Sequence, residues 1–366
     1  MTEQFRNILL IQLGDIGDVV LTTPTIRAVK ETYPEARVSI LVRKPFGSIL
    51  LADTNLHEVV ETTQAHCNWL GAIREHLHFA LRLRWAQYDL VIDLRTGDRG
   101  AILCFLTGAP IRVGLREDSK PFWYKHLFTK LLRDPPYAEL PVHPGAGQSL
   151  RIVRAMSIDT DNSTPKLYLS SKDKGRALEL IAECGLLSSD RWITINPCSR
   201  WKYKEWEYAK WEELIDHLWR DHHLPTVLVG SPEEVAVTQK ITMGRSNHVF
   251  NLAGKTTLGE LSAVIAMSTL HLGVDSAAPH IATSVGTPTL TIFGPGNWKS
   301  WTIVDALHRV VTAAMQCVPC NQKGCNDSEK SQCLDDLGVD QVYAEVQSIL
   351  AITKQNYRIT SLTEKN

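Results

Sequence analysis

No run in this 366-residue chain approaches the length of a membrane span. The opening residues, Met1 to Arg6, are polar, and the apolar segment behind them, Ile8–Leu13, stops at Gly14-Asp15, too soon for the apolar region of a signal peptide. The protein is therefore expected in the cytoplasm. An excess of charge of one sign is also missing: 39 Lys and Arg face 40 Asp and Glu, a net charge of -1, whereas wholesale nucleic-acid binding usually shows as a basic domain. The glycine fingerprint G-x-G-x-x-G is absent from the first turn, where Gly14 and Gly17 are followed by the carboxylate of Asp18.

What is present is a globular composition, 44% hydrophobic and 22% charged, in a chain long enough for two domains. Strands and helices alternate in the first half: Ile8–Leu13, a helix from Val19 to Thr32, Arg37–Val42, a short helix, His57–Glu61, a helix through Arg84, Tyr88–Leu94, a helix over Ala101–Thr107, and Ile111–Gly114. That order predicts a parallel, doubly wound sheet. Asp134 to Gly147, with Pro135, Pro136, Pro141 and Pro144, reads as irregular, and Asp159–Pro165 has the turn chemistry of a linker. A second alternation begins at Trp192–Pro197 and continues through a helix with the stripe Trp211, Leu214, Ile215, Leu218. Pro225–Gly230, Val249–Leu252, Leu270–Val274 and Thr289–Phe293 supply further strands. The expected fold class is α/β, two Rossmann-like doubly wound domains around a cleft, with boundaries at 1–165 and 166–340 and a C-terminal helix and tail over 341–366.

The segment Gly273–Pro288 is the most informative. A strand ends in Asp275 and Ser276, and a helix of small residues, Ala277, Ala278, Ala282 and Ser284, opens where a diphosphate could approach backbone N–H groups, with His280 on its first turn. The competing reading is an ordinary crossover in which Asp275 is a cap. Asp18 stands at the carboxyl end of the first strand, placed either as a general base or as a helix cap. Beyond the first strand of the second half, Cys198–Trp206 sets Ser199 beside the cations Arg200, Lys202 and Lys204, a combination suited to clamping a diphosphate, while Trp201 and Trp206 read as packing residues. Glu233 and Glu234 end another strand and suit a ribose diol or the dipole of the next helix. Residues 62–133 hold 11 Lys and Arg against 6 Asp and Glu, with His66, His76, His78 and His126, a patch for an anionic partner or a solvated face. Of the eight cysteines, Cys67, Cys104, Cys184 and Cys198 read as core residues of a reducing compartment. The run Cys317-x2-Cys320-x4-Cys325-x7-Cys333 could be a four-thiolate metal site, zinc being the candidate ion, or reduced or facultatively bridged thiols.

Together, Gly17-Asp18-Val19 with Thr23-Pro24, Ser199 through Trp206, and Gly273–Pro288 with Phe293-Gly294-Pro295 resemble the family 9 glycosyltransferases, the ADP-heptose:lipopolysaccharide heptosyltransferases. The Asp275-Ser276-Ala277 form looks most like the heptosyltransferase III branch, and the cysteine run with Cys333-Leu334 and Val339 is similar to a feature of parts of the family. The resemblance implies a GT-B architecture: an N-terminal acceptor domain, a C-terminal nucleotide-sugar domain, and a last helix crossing back to the first. It implies inverting transfer of heptose from ADP-L-glycero-D-manno-heptose to the lipopolysaccharide inner core, with Asp18 as base and Lys204 at the leaving phosphates. Ser199, Asp275, Ser276, Ala277, Ala278 and His280 would line the donor pocket, Glu233 or Glu234 would take the ribose, and Lys255 and Thr256 the adenine edge. Arg95, Arg99, Arg112 and Arg116 are the acceptor-binding candidates. No cofactor is implied, since no Asp-x-Asp metal motif stands at either phosphate loop. The implied partners are the ADP-heptose donor, the inner-core acceptor and, transiently, the cytoplasmic face of the inner membrane; nucleic acid is not among them. Two rivals remain at this point: a nicotinamide-dependent oxidoreductase, which wants the missing glycine fingerprint, and a non-catalytic sugar-nucleotide or glycan-binding module.

Overall fold

The computed structural model describes residues 4–62, 69–133, 143–187 and 191–363, without the side chains of residue 70 and of 354–363. His66, Cys67, Pro135, Pro136, Pro141 and the end of the tail lie outside the described residues. The chain divides into two compact units, Met1–Tyr168 and Leu169–Asn366.

Each unit is built on one six-stranded sheet with every neighbouring pair parallel. The first contains β1 (Asn7–Gln12), β2 (Arg37–Val42), β3 (Glu58–Glu61), β4 (Leu90–Asp93), β5 (Ile111–Leu115) and β6 (Lys130–Leu132), ordered β3-β2-β1-β4-β5-β6. The second contains β7 (Ile193–Asn196), β8 (Thr226–Leu228), β9 (Val249–Asn251), β10 (Leu270–Val274), β11 (Thr289–Ile292) and β12 (His308–Val311), ordered β12-β11-β10-β7-β8-β9. Helices α1 (Ile16–Leu21), α2 (Thr23–Thr32), α3 (Trp69–Trp85), α4 (Asp98–Thr107) and α5 (Gly147–Arg154) belong to the first unit. The second has α6 (Ser171–Glu183), α7 (Tyr208–His222), α8 (Val235–Thr242), α9 (Leu258–Met267), α10 (Ala277–Ser284), α11 (Gln332–Asp336) and α12 (Val339–Thr363). The central strands carry unbroken apolar runs because helices cover both faces of such sheets; Ile8 through Ile11 are fully buried. The strand order reverses between β1 and β4 in one unit and between β7 and β10 in the other, and crevices for ligands open at the carboxyl ends beside such reversals.

The single helix expected from Val19 to Thr32 is two. Pro24 has no N–H for the Val20 carbonyl, and the Thr23 hydroxyl donates to that carbonyl instead, at 2.9 Å. Thr22 likewise donates to the Asp18 carbonyl and accepts from buried Gln12, so the break is held by side chains. The linker-like segment is tied down within the first unit: Arg27 donates to the carbonyls of Asn162 and Thr164, and Lys166 N–H to the Thr23 hydroxyl. Periodicity did not mark β6 or β12, which are short edge strands whose Lys130, His308 and Arg309 break the apolar pattern. The start of the C-terminal helix packs into the second unit, where Val342, Val346, Ile349 and Leu350 join the core around Trp206 and Trp211.

His271 lies fully buried in β10 with Nδ1 3.0 Å from the Thr194 hydroxyl, and burial pushes its imidazole down to about 3. Its folded value is below the unfolded one, so its contribution is complete above about pH 6.5 and is lost as the pH falls. Between pH 6.5 and pH 5 this residue alone should remove about 2 kcal/mol of unfolding free energy. Urea titrations at the two pH values should therefore show a smaller difference for His271→Gln than for the native chain; equal differences would refute the assignment. Asp93, discussed below, acts with the opposite sign, so the variant comparison is needed to isolate His271.

Candidate active site

In the first unit, the turn after β1 is shaped from below by Gln12, whose Oε1 accepts the Gly14 N–H at 3.0 Å. Helix α1 begins at Ile16 with Asp15, not Asp18, as its N-cap; Asp18 is the third helical residue and closes a capping box, its Oδ2 accepting the Asp15 N–H at 2.9 Å. The same oxygen is paired with Arg95 Nη1 at 2.6 Å, and Oδ1 has no bonding partner among the described residues. A side chain at Gly14 would crowd this turn, because a Cβ would fall 2.5 Å from the Asp18 Cβ and 2.4 Å from both Arg95 Nη1 and Asp18 Oδ2. Across the turn, Arg43 from the end of β2 pairs with Asp15 at 3.0 Å.

Arg95 is delivered by the end of β4, where Asp93 is completely buried, accepts the Arg95 N–H on Oδ1 at 3.2 Å, and leaves Oδ2 without a partner among the described residues. Burial drives its carboxyl well above the ordinary range. Gly100 of α4 presses on it, since a Cβ there would lie 2.6 Å from both oxygens. A neutral acid is mimicked by an amide, so Asp93→Asn should unfold near the native denaturant midpoint, while Gly100→Ala should cost about 1–3 kcal/mol by overpacking. A large loss in Asp93→Asn would mean that the buried group is ionised.

The four arginines expected to bind the acceptor diverge. Arg95 and Arg116 follow strand ends, Arg116 pairing with Asp118 at 2.8 Å, and Arg99 is exposed in the first turn of α4. Arg112 is elsewhere: level with Val91 and Leu9, it donates to the carbonyls of Leu127 and Ala109 and lies over the Phe105 ring, stapling the amino end of the sheet.

In the second unit the residues at the β7/β10 reversal meet. Lys204 Nζ is 2.7 Å from Asp275 Oδ2, and the Ser199 hydroxyl donates to the Asp275 carbonyl at 3.2 Å. Ser276, the N-cap of α10, does not cap it with its side chain; the hydroxyl donates to Asn196 Oδ1 at 3.2 Å. The first-turn N–H groups of α10, behind Ala277 and Ala278, are thus not satisfied by the Ser276 side chain. Ala278 is buried, and His280 is half-buried in the same helix. Gly296, from the loop after β11, packs on this site, since a Cβ there would fall 2.3 Å from Asp275 Oδ2.

The three-cation clamp expected in the central loop reduces to one cation at the site. Lys202 turns to Glu205 at 2.9 Å, Arg200 lies over the Trp201 ring, and Lys204 alone of the three pairs with Asp275. Glu205, unmarked by sequence reasoning, holds the loop: its carboxylate accepts the Ser199 N–H, Lys202 and the Tyr208 hydroxyl. Trp206 is buried and donates from Nε1 to the Leu337 carbonyl at 3.0 Å. Asn196 was also missed. It links the Ser276 hydroxyl, the Val229 carbonyl and Glu234, and its one signal in the sequence is a polar residue closing an apolar strand before Pro197.

Glu233 and Glu234 part company. Glu234 is drawn inward, accepting the Ser231 N–H at 2.8 Å, with its carboxyl raised by burial; Glu233 is exposed and lowered by the Ser231 hydroxyl. The β8 and β9 loops join through the Gly254 N–H to Gly230 carbonyl bond, which brings exposed Lys255 and half-buried Thr256 beside the Ser231–Glu234 turn.

The cysteine run buttresses these loops. Cys333 is buried in the core with its thiol pushed up to about 11, Leu334 packs where a Cβ on Gly294 would lie 2.8 Å away, and Asn321 N–H bonds the Pro295 carbonyl. Ser331 donates to the Tyr203 carbonyl, and Lys210 to the carbonyls ending α11. Cys317 and Cys325 are exposed, and among the described residues no three His, Cys, Asp or Glu side chains are grouped to hold a metal ion.

Residues 76–330 match the model of glycosyltransferase family 9 (heptosyltransferase). The chain is 28% identical over 298 residues to lipopolysaccharide heptosyltransferase 3 of Escherichia coli K12, covering 78% of this chain and 83% of that protein. Among solved structures it is similar to a family 9 glycosyltransferase from Veillonella parvula, with a TM-score of 0.79 at 21% identity over 96% of this chain and 99% of the other. It is also similar to Escherichia coli ADP-heptose lps heptosyltransferase II, with a TM-score of 0.76 at 20% identity over 95% and 99%.

Proposed function

Because the chain belongs to glycosyltransferase family 9, we propose that it is an inverting transferase that moves a heptose from ADP-L-glycero-D-manno-heptose to the inner core of lipopolysaccharide. The family supports neither the oxidoreductase nor the non-catalytic module. The observation that carries the reading is the β7/β10 reversal, where Lys204, Asp275 and the uncapped start of α10 form a seat for a diphosphate without a glycine fingerprint.

In this reading Asp18 Oδ1 takes the proton of the acceptor hydroxyl as its oxygen bonds to the anomeric carbon. The bond from that carbon to the phosphate oxygen breaks with inversion, and the electron pair stays on ADP. Lys204 and the α10 N–H groups stabilise the charge that develops there, with Ser199 and Ser276 shaping the turn and His280 lining it. Glu234, whose carboxyl faces Asn196, takes the ribose more readily than exposed Glu233, and Lys255 and Thr256 border the adenine. Arg95, Arg99 and Arg116 hold acidic groups of the acceptor, and Arg112 leaves that set. No step runs through a metal ion. No described helix is long and apolar enough to cross a membrane, and we place the work of the enzyme at the cytoplasmic membrane surface, reached peripherally.

Calorimetric titration with ADP, UDP, GDP and NAD tests the donor assignment. ADP should bind at least tenfold more tightly than the others, and transfer of labelled heptose to an inner-core acceptor should follow; preference for NAD would overturn the reading.

A further inference from the structure

Helix α3 has apolar residues where a surface helix should be polar. Trp69, Ile73, Leu77, Leu81 and Trp85 recur every fourth residue along one slowly turning face, and each is exposed, by 36% to 73%. The opposite face already supplies the core, with Phe79 and Leu83 buried against Ala101, Leu103 and Cys104 of α4. The stripe is therefore not the helix's packing face. On α4, the helix packed against α3, Ile102, Phe105 and Leu106 are exposed as well. The two helices close together at their ends: the Arg84 guanidinium lies over Gly108, the left-handed cap of α4, where a Cβ would fall 1.3 Å from Nη1. Exposed apolar side chains repeated along neighbouring helices in this way mark an interaction site.

Charge decides the partner. The two helices carry Arg74, Arg82, Arg84 and Arg99 against Glu75 and Asp98; Asp98 is paired with Lys120 and Arg82 with Glu58, and the remaining arginines are still in excess. A symmetric dimer through this face would set arginines against arginines. An anionic bilayer would accept them, with the apolar stripe entering the acyl boundary and the two tryptophans at headgroup level. The structure assigns the outer face of α3 and α4 as the surface that docks this chain on anionic phospholipid. The same α4 starts five residues after Asp93 and three after Arg95, so the docked face adjoins the turn that holds Asp18. This rests on the reading of the acceptor as lipid-linked.

The test is sedimentation of the full chain with vesicles of phosphatidylethanolamine and phosphatidylglycerol, against vesicles of phosphatidylcholine alone. The native chain should pellet with the anionic vesicles, and the variant Ile73→Ser/Leu77→Ser/Phe105→Ser should lose at least tenfold in partition while keeping its thermal midpoint and its transfer to a deacylated, soluble acceptor. Arg74→Gln/Arg84→Gln should weaken binding and its salt dependence. Absence of native binding, or equal binding by the triple variant, overturns the inference. So does a native dimer that the triple variant converts to monomer without any vesicle binding. Loss of soluble transfer in the native chain, with vesicle binding intact, would instead sink the proposed function and leave the docking face standing.

Discussion

Asp18→Asn is expected to lower the turnover of heptosyl transfer by about 10²–10⁴-fold, the range a positioned general base supplies. The amide keeps an oxygen for the Asp15 N–H, so the capping box and the start of α1 survive. What is lost is the basic oxygen and the charge opposite Arg95. Since the proposed nucleotide seat lies on the other unit, ADP affinity should stay within a few-fold, and the thermal midpoint should move little. Steady-state rates, calorimetry and a melting curve on one preparation separate these effects. A variant retaining a tenth or more of the native rate would remove Asp18 from the role of base.

Lys204→Ala should lower turnover by about 10²–10³-fold, comparable to deleting one preorganised group at a developing negative charge, and should weaken ADP binding as well. Both effects are expected because Lys204 pairs with Asp275 at the α10 turn, whereas Lys202 is held by Glu205. The substitution also strands the Asp275 carboxylate beside the phosphate seat, adding repulsion to the lost attraction. Lys204→Ala/Asp275→Asn should therefore recover part of the ADP affinity without recovering turnover. If the single variant binds ADP as the native chain does, the lysine serves the loop and not the nucleotide.

Much of the fold and part of the site was legible in the chain. Runs such as Ile8–Ile11 and Leu270–Val274, apolar without alternation, specify strands covered on both faces, and their succession with helices specifies parallel sheets. The turns after β1, β7 and β10 stood out because hydroxyls, acids and lysines end those runs. Local pattern also set the break at Thr22, through Pro24, though its meaning emerges only when Thr23 is seen serving the Val20 carbonyl. What the sequence by itself determined, then, is the identity of the chemistry-bearing turns and the class of the sheet, because strand periodicity and turn composition are local properties. Only the tertiary structure decided which charges face one another. Arg95 and Asp18 are 77 residues apart and Lys204 and Asp275 are 71 apart, and both pairs form because the strand order reverses between neighbouring parallel strands. Arg112 reads like its neighbours in the chain yet staples the far end of the sheet, since the direction of a side chain follows from its level on the strand and not from its charge.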